Sequence, residues 1–60
     1  MNSDEIFIEF VVQGNFVKAT AIHSKTGHEA SIMGPASSPR EPLAQAAVRK
    51  LQYVMKKGAV

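Results

Sequence analysis

The chain contains no cysteine and no tryptophan, only three phenylalanines and one tyrosine, and no long apolar run. Each absence removes a class of protein. Without cysteine there is no disulfide framework, no thiolate zinc site and no cysteine nucleophile. The longest uninterrupted apolar stretches are Ile6 to Ile8, Phe10 to Val12 and Ala46 to Val48, far short of the roughly 20 residues of a spanning helix. No glycine-rich loop has phosphate-binding spacing, and no serine sits in a nucleophile-elbow context. The start, Met1 to Glu5, is acidic where a secretory leader would be basic, so a cytoplasmic location is expected.

What is present is an ordinary globular composition: sixty residues, 45% hydrophobic and 20% charged. A chain of this length buries only about 60% of the surface that its unfolded form exposes. Small domains compensate with disulfides, a metal or association, and without cysteine the remaining routes are close packing or oligomerisation. Charge is unevenly distributed. Residues 1–39 carry Lys18 and Lys25 against Asp4, Glu5, Glu9 and Glu29, whereas residues 40–60 carry Arg40, Arg49, Lys50, Lys56 and Lys57 against Glu41 alone. A basic C-terminal segment fits either a solvated helix face, with last-turn lysines suited to the helix dipole, or an anionic partner.

The pattern predicts one domain over 5–57, with a disordered tail over 1–4 and a frayed end over 58–60. Glu5 to Gln13 is dense in β-branched and aromatic residues, as is Phe16 to His23, and Gly14-Asn15 between them is a two-residue hairpin signal. The turn sets the register: Ile6, Ile8, Phe10 and Val12 face His23, Ala21, Ala19 and Val17, large groups beside small ones, a trough that seats a helix. The other face carries Phe7, Val11, Phe16 and Ile22 with Glu9, Gln13, Lys18 and Thr20.

Ser24 to Gly27 reads as a second turn and His28 to Met33 as a third strand. A three-residue loop would pair Ser24 with His28 and turn Ala30 and Ile32 to the back. A four-residue loop puts both on the helix side, and is preferred because it adds Ile32 to the core. Gly34 to Pro39 reads as an irregular connection. Ser38-Pro39-Arg40-Glu41 fits a capping box, but Pro42 lacks a donor and disfavours helical geometry at Glu41, so a regular helix is expected from Pro42 to a stop at Gly58. Leu43, Ala44, Ala47, Val48, Leu51, Val54 and Met55 form its apolar stripe. The expected fold is α+β: a three-stranded antiparallel meander followed by one C-terminal helix packed on one face, βββα.

Chemistry is sparse. The five carboxylates are scattered over tail, strand, turn and helix start, and three strands with one helix offer little depth for a cleft, so no enzyme, no catalytic residue and no cofactor are expected. His23, His28 and Glu29 cluster around the second turn without a recognised metal-ligand spacing. They read as a half-buried strand-end histidine beside Ile6 and a solvated turn, so no metal site is expected. Two surfaces remain as candidates. Phe7, Val11, Phe16 and Ile22 leave the back of the sheet apolar, which a monomer seldom tolerates, so self-association as a homodimer is expected unless the Lys18 stem and the N-terminal tail shield Val11 and Phe16. The alternative is nucleic-acid binding, with Arg40, Arg49, Lys50, Lys56 and Lys57 as phosphate contacts. Tyr53, on the helix flank, either edges the core or stacks on a base.

Two resemblances accompany this reading. Ser38, Ala46, Ala47 and Leu51 stand where the last helix of double-stranded RNA-binding domains has its opening serine, alanine pair and leucine, and the three preceding strands match that order. That family's lysine pair is Pro39-Arg40 here, so only Arg40 carries over as an implied phosphate contact, and the family's first helix has no counterpart. Over nearly all of 5–57 the chain is similar to a family of short bacterial proteins that carry a domain of unknown function. The similarity runs through the I-F-I-E-F strand, the Q-G-N-F turn, the K-A-T-A-I-H strand, the T-G turn, the G-P loop and the R-K-L-x-Y-V helix end. It implies a self-contained domain, with no catalytic residue, cofactor or substrate attached.

Overall fold

The structure, a computed structural model, describes residues 5–58; the expected tail over 1–4, and residues 59–60 of the expected frayed end, lie outside the described residues. Three strands, β1 (Ile6–Gln13), β2 (Phe16–His23) and β3 (Glu29–Pro35), form one antiparallel sheet in the order β1-β2-β3. A single helix, α1 (Arg40–Gly58), follows. The fold is the expected βββα.

The hairpin register is the one the turn dictates, from Gln13 opposite Phe16 to Ile6 opposite His23. Gly14 has φ of 60° and, among the described residues, no non-glycine residue has positive φ, so the turn is of the II′ type, which needs positive φ only at its first central residue. Between β2 and β3 the four-residue loop prevails: the His23 amide donates to the His28 carbonyl at 2.9 Å, and Ala21 lies opposite Ala30, Ala19 opposite Ile32. Ala30 and Ile32 therefore do face the helix.

Two boundaries differ from the sequence reading. The third strand begins one residue later than His28 and runs on through Gly34 and Pro35. Gly34 pairs with Val17 and Pro35 with Phe16, and proline is tolerated at an edge position where its missing N–H would face outward. The helix starts at Arg40, ahead of Pro42. Pro42 falls within the first turn, whose amides have no intrahelical acceptor, so its missing donor costs the helix nothing there.

The core is an alanine floor. Ala19, Ala21, Ala30 and Ala47 are buried and Leu51 is the largest side chain sealed among them, with Ile6, Ile8, Ile32, Leu43, Val48 and Met55 packed around it. Small groups on β2 let α1 settle close to the sheet, so it packs over β2 and β3 and barely reaches β1. A helix is about 10 Å wide, whereas three strands spaced about 4.8 Å apart are wider. The consequence is that Phe10 and Val12, on the helix side of β1, stay 37% and 55% exposed. The large half of the trough is a flank of the helix seat and is left partly open.

Candidate functional site

Because side chains alternate along a strand, the register places Phe7, Glu9, Val11 and Gln13 of β1 on the back face with Phe16, Lys18, Thr20 and Ile22 of β2 and Glu29, Ser31, Met33 and Pro35 of β3. Among the described residues no helix covers that face. All four expected residues stand on it: Phe7 and Phe16 are exposed by more than half, and Val11 and Ile22 are partly buried. Phe16 stays 54% exposed beside Lys18, and the expected cover by the N-terminal tail lies outside the described residues.

The four do not form one patch. Phe7 lies beside Ile22 at one end, whereas Val11 and Phe16 lie at the other. Between them runs a polar row, Glu9, Thr20 and Ser31, tied by a 2.8 Å bond between the Thr20 and Ser31 hydroxyls. Met33, 57% exposed and opposite Lys18, enlarges the Val11–Phe16 end. Sequence reasoning missed Met33 although the preferred four-residue loop, with side chains alternating along the strand, already puts it on the back face. It missed Phe10 and Val12 on the front because it gave the helix the full width of the sheet.

The basic residues are less united than their spacing implies. Arg40 at the helix start donates from one guanidinium nitrogen to the carbonyls of Ala36 and Ser38 at 3.1 and 3.0 Å, and lies 5.8 Å from the centre of the Phe10 ring. It clamps the β3–α1 connection. The Lys50 ammonium donates to the Ser31 carbonyl at 2.8 Å, and Lys57 lies 5.7 Å from the centre of the Tyr53 ring. Arg49 lines a shallow groove of about 370 Å³ with Glu41, Ala44, Gln45 and Val48. At about 100° per residue, Lys56, Arg49, Tyr53, Lys57 and Lys50 span an outward arc of about 120°, with Tyr53 62% exposed at its middle. Arg40 lies off that arc, and no Asp or Glu follows Glu41 in the sequence.

The second turn is a hydrogen-bonded knot. The Thr26 hydroxyl lies 3.1 Å from His23 Nδ1 and 2.6 Å from His28 Nδ1, the Thr26 amide donates to His23 Nδ1 and the His28 amide donates to the Thr26 hydroxyl, both at 3.3 Å. His23 is buried, more deeply than a half-buried strand end, and His28 is exposed. Among the described residues no group of three His, Asp or Glu side chains is placed to hold a metal ion. None of their buried side-chain nitrogens or oxygens lacks a partner. A second groove, about 330 Å³, lies between Ile6, His23, Gln52 and Met55.

Fold and surface together define a class of protein: a minimal two-layer βββα domain with one face of its sheet left bare by the described residues and a basic helix on the other side. The chain belongs to the DUF6898 family, a domain of unknown function, whose model matches residues 3–58. No curated protein and no solved structure matches it. No helix among the described residues is long and apolar enough to cross a membrane.

Proposed function

We propose that this protein is a non-enzymatic interaction module that associates with itself through its sheet. The observation that carries the reading is the uncovered back face, where Phe7, Phe16 and Met33 are each more than half exposed in a chain of sixty residues. A domain this small has little other apolar surface to bury, and the same face on a second copy supplies a matching cover. The Val11–Phe16–Met33 end is the anchor. A bacterial setting, which rests on motif resemblance, and a cytoplasmic one, which rests on the shortness of the apolar runs, belong to the same reading.

Sedimentation velocity over a range of concentrations tests it. The expected result is a mass above that of the monomer at high micromolar protein, insensitive to salt. Phe16→Asp, which places a carboxylate in the contact, weakens association by about tenfold or more. A monomer throughout that range overturns the reading.

Nucleic-acid binding is the second reading, favoured by the carboxylate-free arc of Arg49, Lys50, Lys56 and Lys57 around the exposed ring of Tyr53. The likeness of Ser38, Ala46, Ala47 and Leu51 to the last helix of double-stranded RNA-binding domains points the same way. The intramolecular bonds of Arg40 and Lys50 are why it stands second. Phosphate contacts release condensed counterions, so such binding falls steeply with salt. Anisotropy of a labelled RNA duplex, titrated at low and high salt, separates the two. Tight, salt-sensitive binding that Arg49→Gln with Lys56→Gln abolishes would establish the helix as the functional surface, and no binding at low salt retires it.

A further inference from the structure

The two free edges of the sheet are built differently. The Ser24 amide donates to the Glu5 carbonyl at 2.9 Å and Gln13 flanks the hairpin turn opposite Phe16. In an antiparallel ladder alternate residues bond to the neighbouring strand, so the odd-numbered residues of β1 turn their backbone groups to β2. Ile6, Ile8, Phe10 and Val12 turn theirs outward. On β3 the bonds from the His23 amide to the His28 carbonyl and from the Ala36 amide to the Asn15 carbonyl set the opposite parity, and Glu29, Ser31, Met33 and Pro35 face the free edge. That edge is guarded. Lys50 occupies the Ser31 carbonyl, and Pro35 has no N–H to offer.

The β1 edge has no such guard. Its sequence, Ile-Phe-Ile-Glu-Phe-Val-Val-Gln, lacks the lysine and proline that blunt edge strands in soluble proteins, and its one charge, Glu9, stands on the back face with its backbone groups turned to β2. Among the described residues no side chain bonds to its outward amides and carbonyls. It is apolar in front, where Phe10 and Val12 are exposed because the helix falls short, and mixed behind, where exposed Phe7 stands beside Glu9.

We infer that β1 pairs antiparallel with β1 of a second copy, joining two sheets into one of six strands. This rests on the self-association proposed above and assigns it a second contact. The occupant is a second copy because an open ladder needs an extended strand with a free edge of its own, and β1 is the unguarded edge that each copy brings. A two-fold axis at Glu9 would set two carboxylates opposite each other, which is unfavourable. Centred on Phe10, the pairing sets Phe10 against its own copy, Val12 against Ile8 and Glu9 against Val11, and it covers the front side chains that α1 leaves open. The bare back faces of two such six-stranded sheets then pack together, giving a tetramer with closed dihedral symmetry. An edge pair is small beside the roughly 800 Å² per partner of a standard interface, so it is weak and depends on concentration.

The test uses Phe16→Asp, which removes the face contact and isolates the edge. The expected result is a dimer at millimolar protein in which the amides of Ile6, Ile8, Phe10 and Val12 gain hydrogen-exchange protection as concentration rises, while those of Phe7, Glu9 and Val11 do not change. A synthetic chain with an N-methyl amide at Ile8 loses one outward donor and no bond to β2; with Phe16 intact it is expected to stop at a face-to-face dimer. If Phe16→Asp stays monomeric, with the four outward amides exchanging as fast as in dilute protein, edge pairing is overturned and the face contact stands. If the unaltered chain is monomeric as well, both fall. Protection of those amides by an added extended peptide, but never by the chain itself, overturns the second copy as occupant.

Discussion

Gly34 shows how tightly the small residues are held to their positions. It sits in β3 opposite Val17, under the start of the helix, and a Cβ built on it would lie 3.0 Å from Ser38 Oγ and 3.3 Å from Leu43 Cδ1. Its φ is not positive, so backbone strain is not the reason for glycine here; the close approach of the β3–α1 connection is. Two effects compete in Gly34→Ala. The unfolded chain loses freedom, which stabilises by about 0.4–1 kcal/mol, and overpacking costs about 1–3 kcal/mol. The Ser38 hydroxyl can rotate aside but the Leu43 methyl is wedged against the core, so the overpacking term wins by about 1 kcal/mol. Urea unfolding of Gly34→Ala is expected to show that loss with an unchanged slope, and Gly34→Val a larger one. An alanine variant as stable as the parent would mean that the connection yields freely.

At the scale of elements, the order, the hairpin register and the α1 stripe were legible because each is local. Two residues of turn chemistry fix which side chains of β1 and β2 share a face, and Leu43, Ala47 and Leu51 recur at helical spacing. What failed was set by neighbours. The start of α1 at Arg40 depends on Pro42 falling within an already donor-rich first turn. The run of β3 through Pro35 depends on β2 being long enough to pair with it. The four back-face candidates were legible as a set, since alternation puts them together. Their division by Glu9 and Thr20 was legible too, in the hairpin register; only Ser31 and Met33 needed β3 placed. The basic helix was legible as charge, but the reach of Arg40 to Phe10 and to the Ala36 and Ser38 carbonyls, and of Lys50 to Ser31, belongs to the tertiary structure. The partial exposure of Phe10 and Val12 follows from widths alone, one helix over three strands, and is the signal that was there to be used.

At the scale of the whole molecule, one guarded edge and one open edge would decide whether the proposed assembly closes. A sheet with a single free edge per copy stops at two copies, because pairing consumes both edges. A sheet with two grows without limit. Lys50 is the residue that separates these cases, since its ammonium fills the Ser31 carbonyl on the outward side of β3. Pro35 guards only the end of that strand, leaving Glu29 to Met33 for pairing once the lysine is gone. Lys50→Met keeps the apolar stem and removes the donor, so the fold is expected to persist with the helical circular dichroism of the parent. At concentrations where the parent is expected to reach the closed assembly proposed above, this variant is expected to form heavier species by sedimentation and light scattering. The outward amides of Ser31 and Met33 are expected to gain exchange protection alongside those of β1. Lys50→Arg, which restores a donor of similar reach, returns the parent distribution. A Lys50→Met chain that matches the parent in mass and in exchange at Ser31 would show that the β3 edge is held closed by the packing of α1 rather than by this one bond.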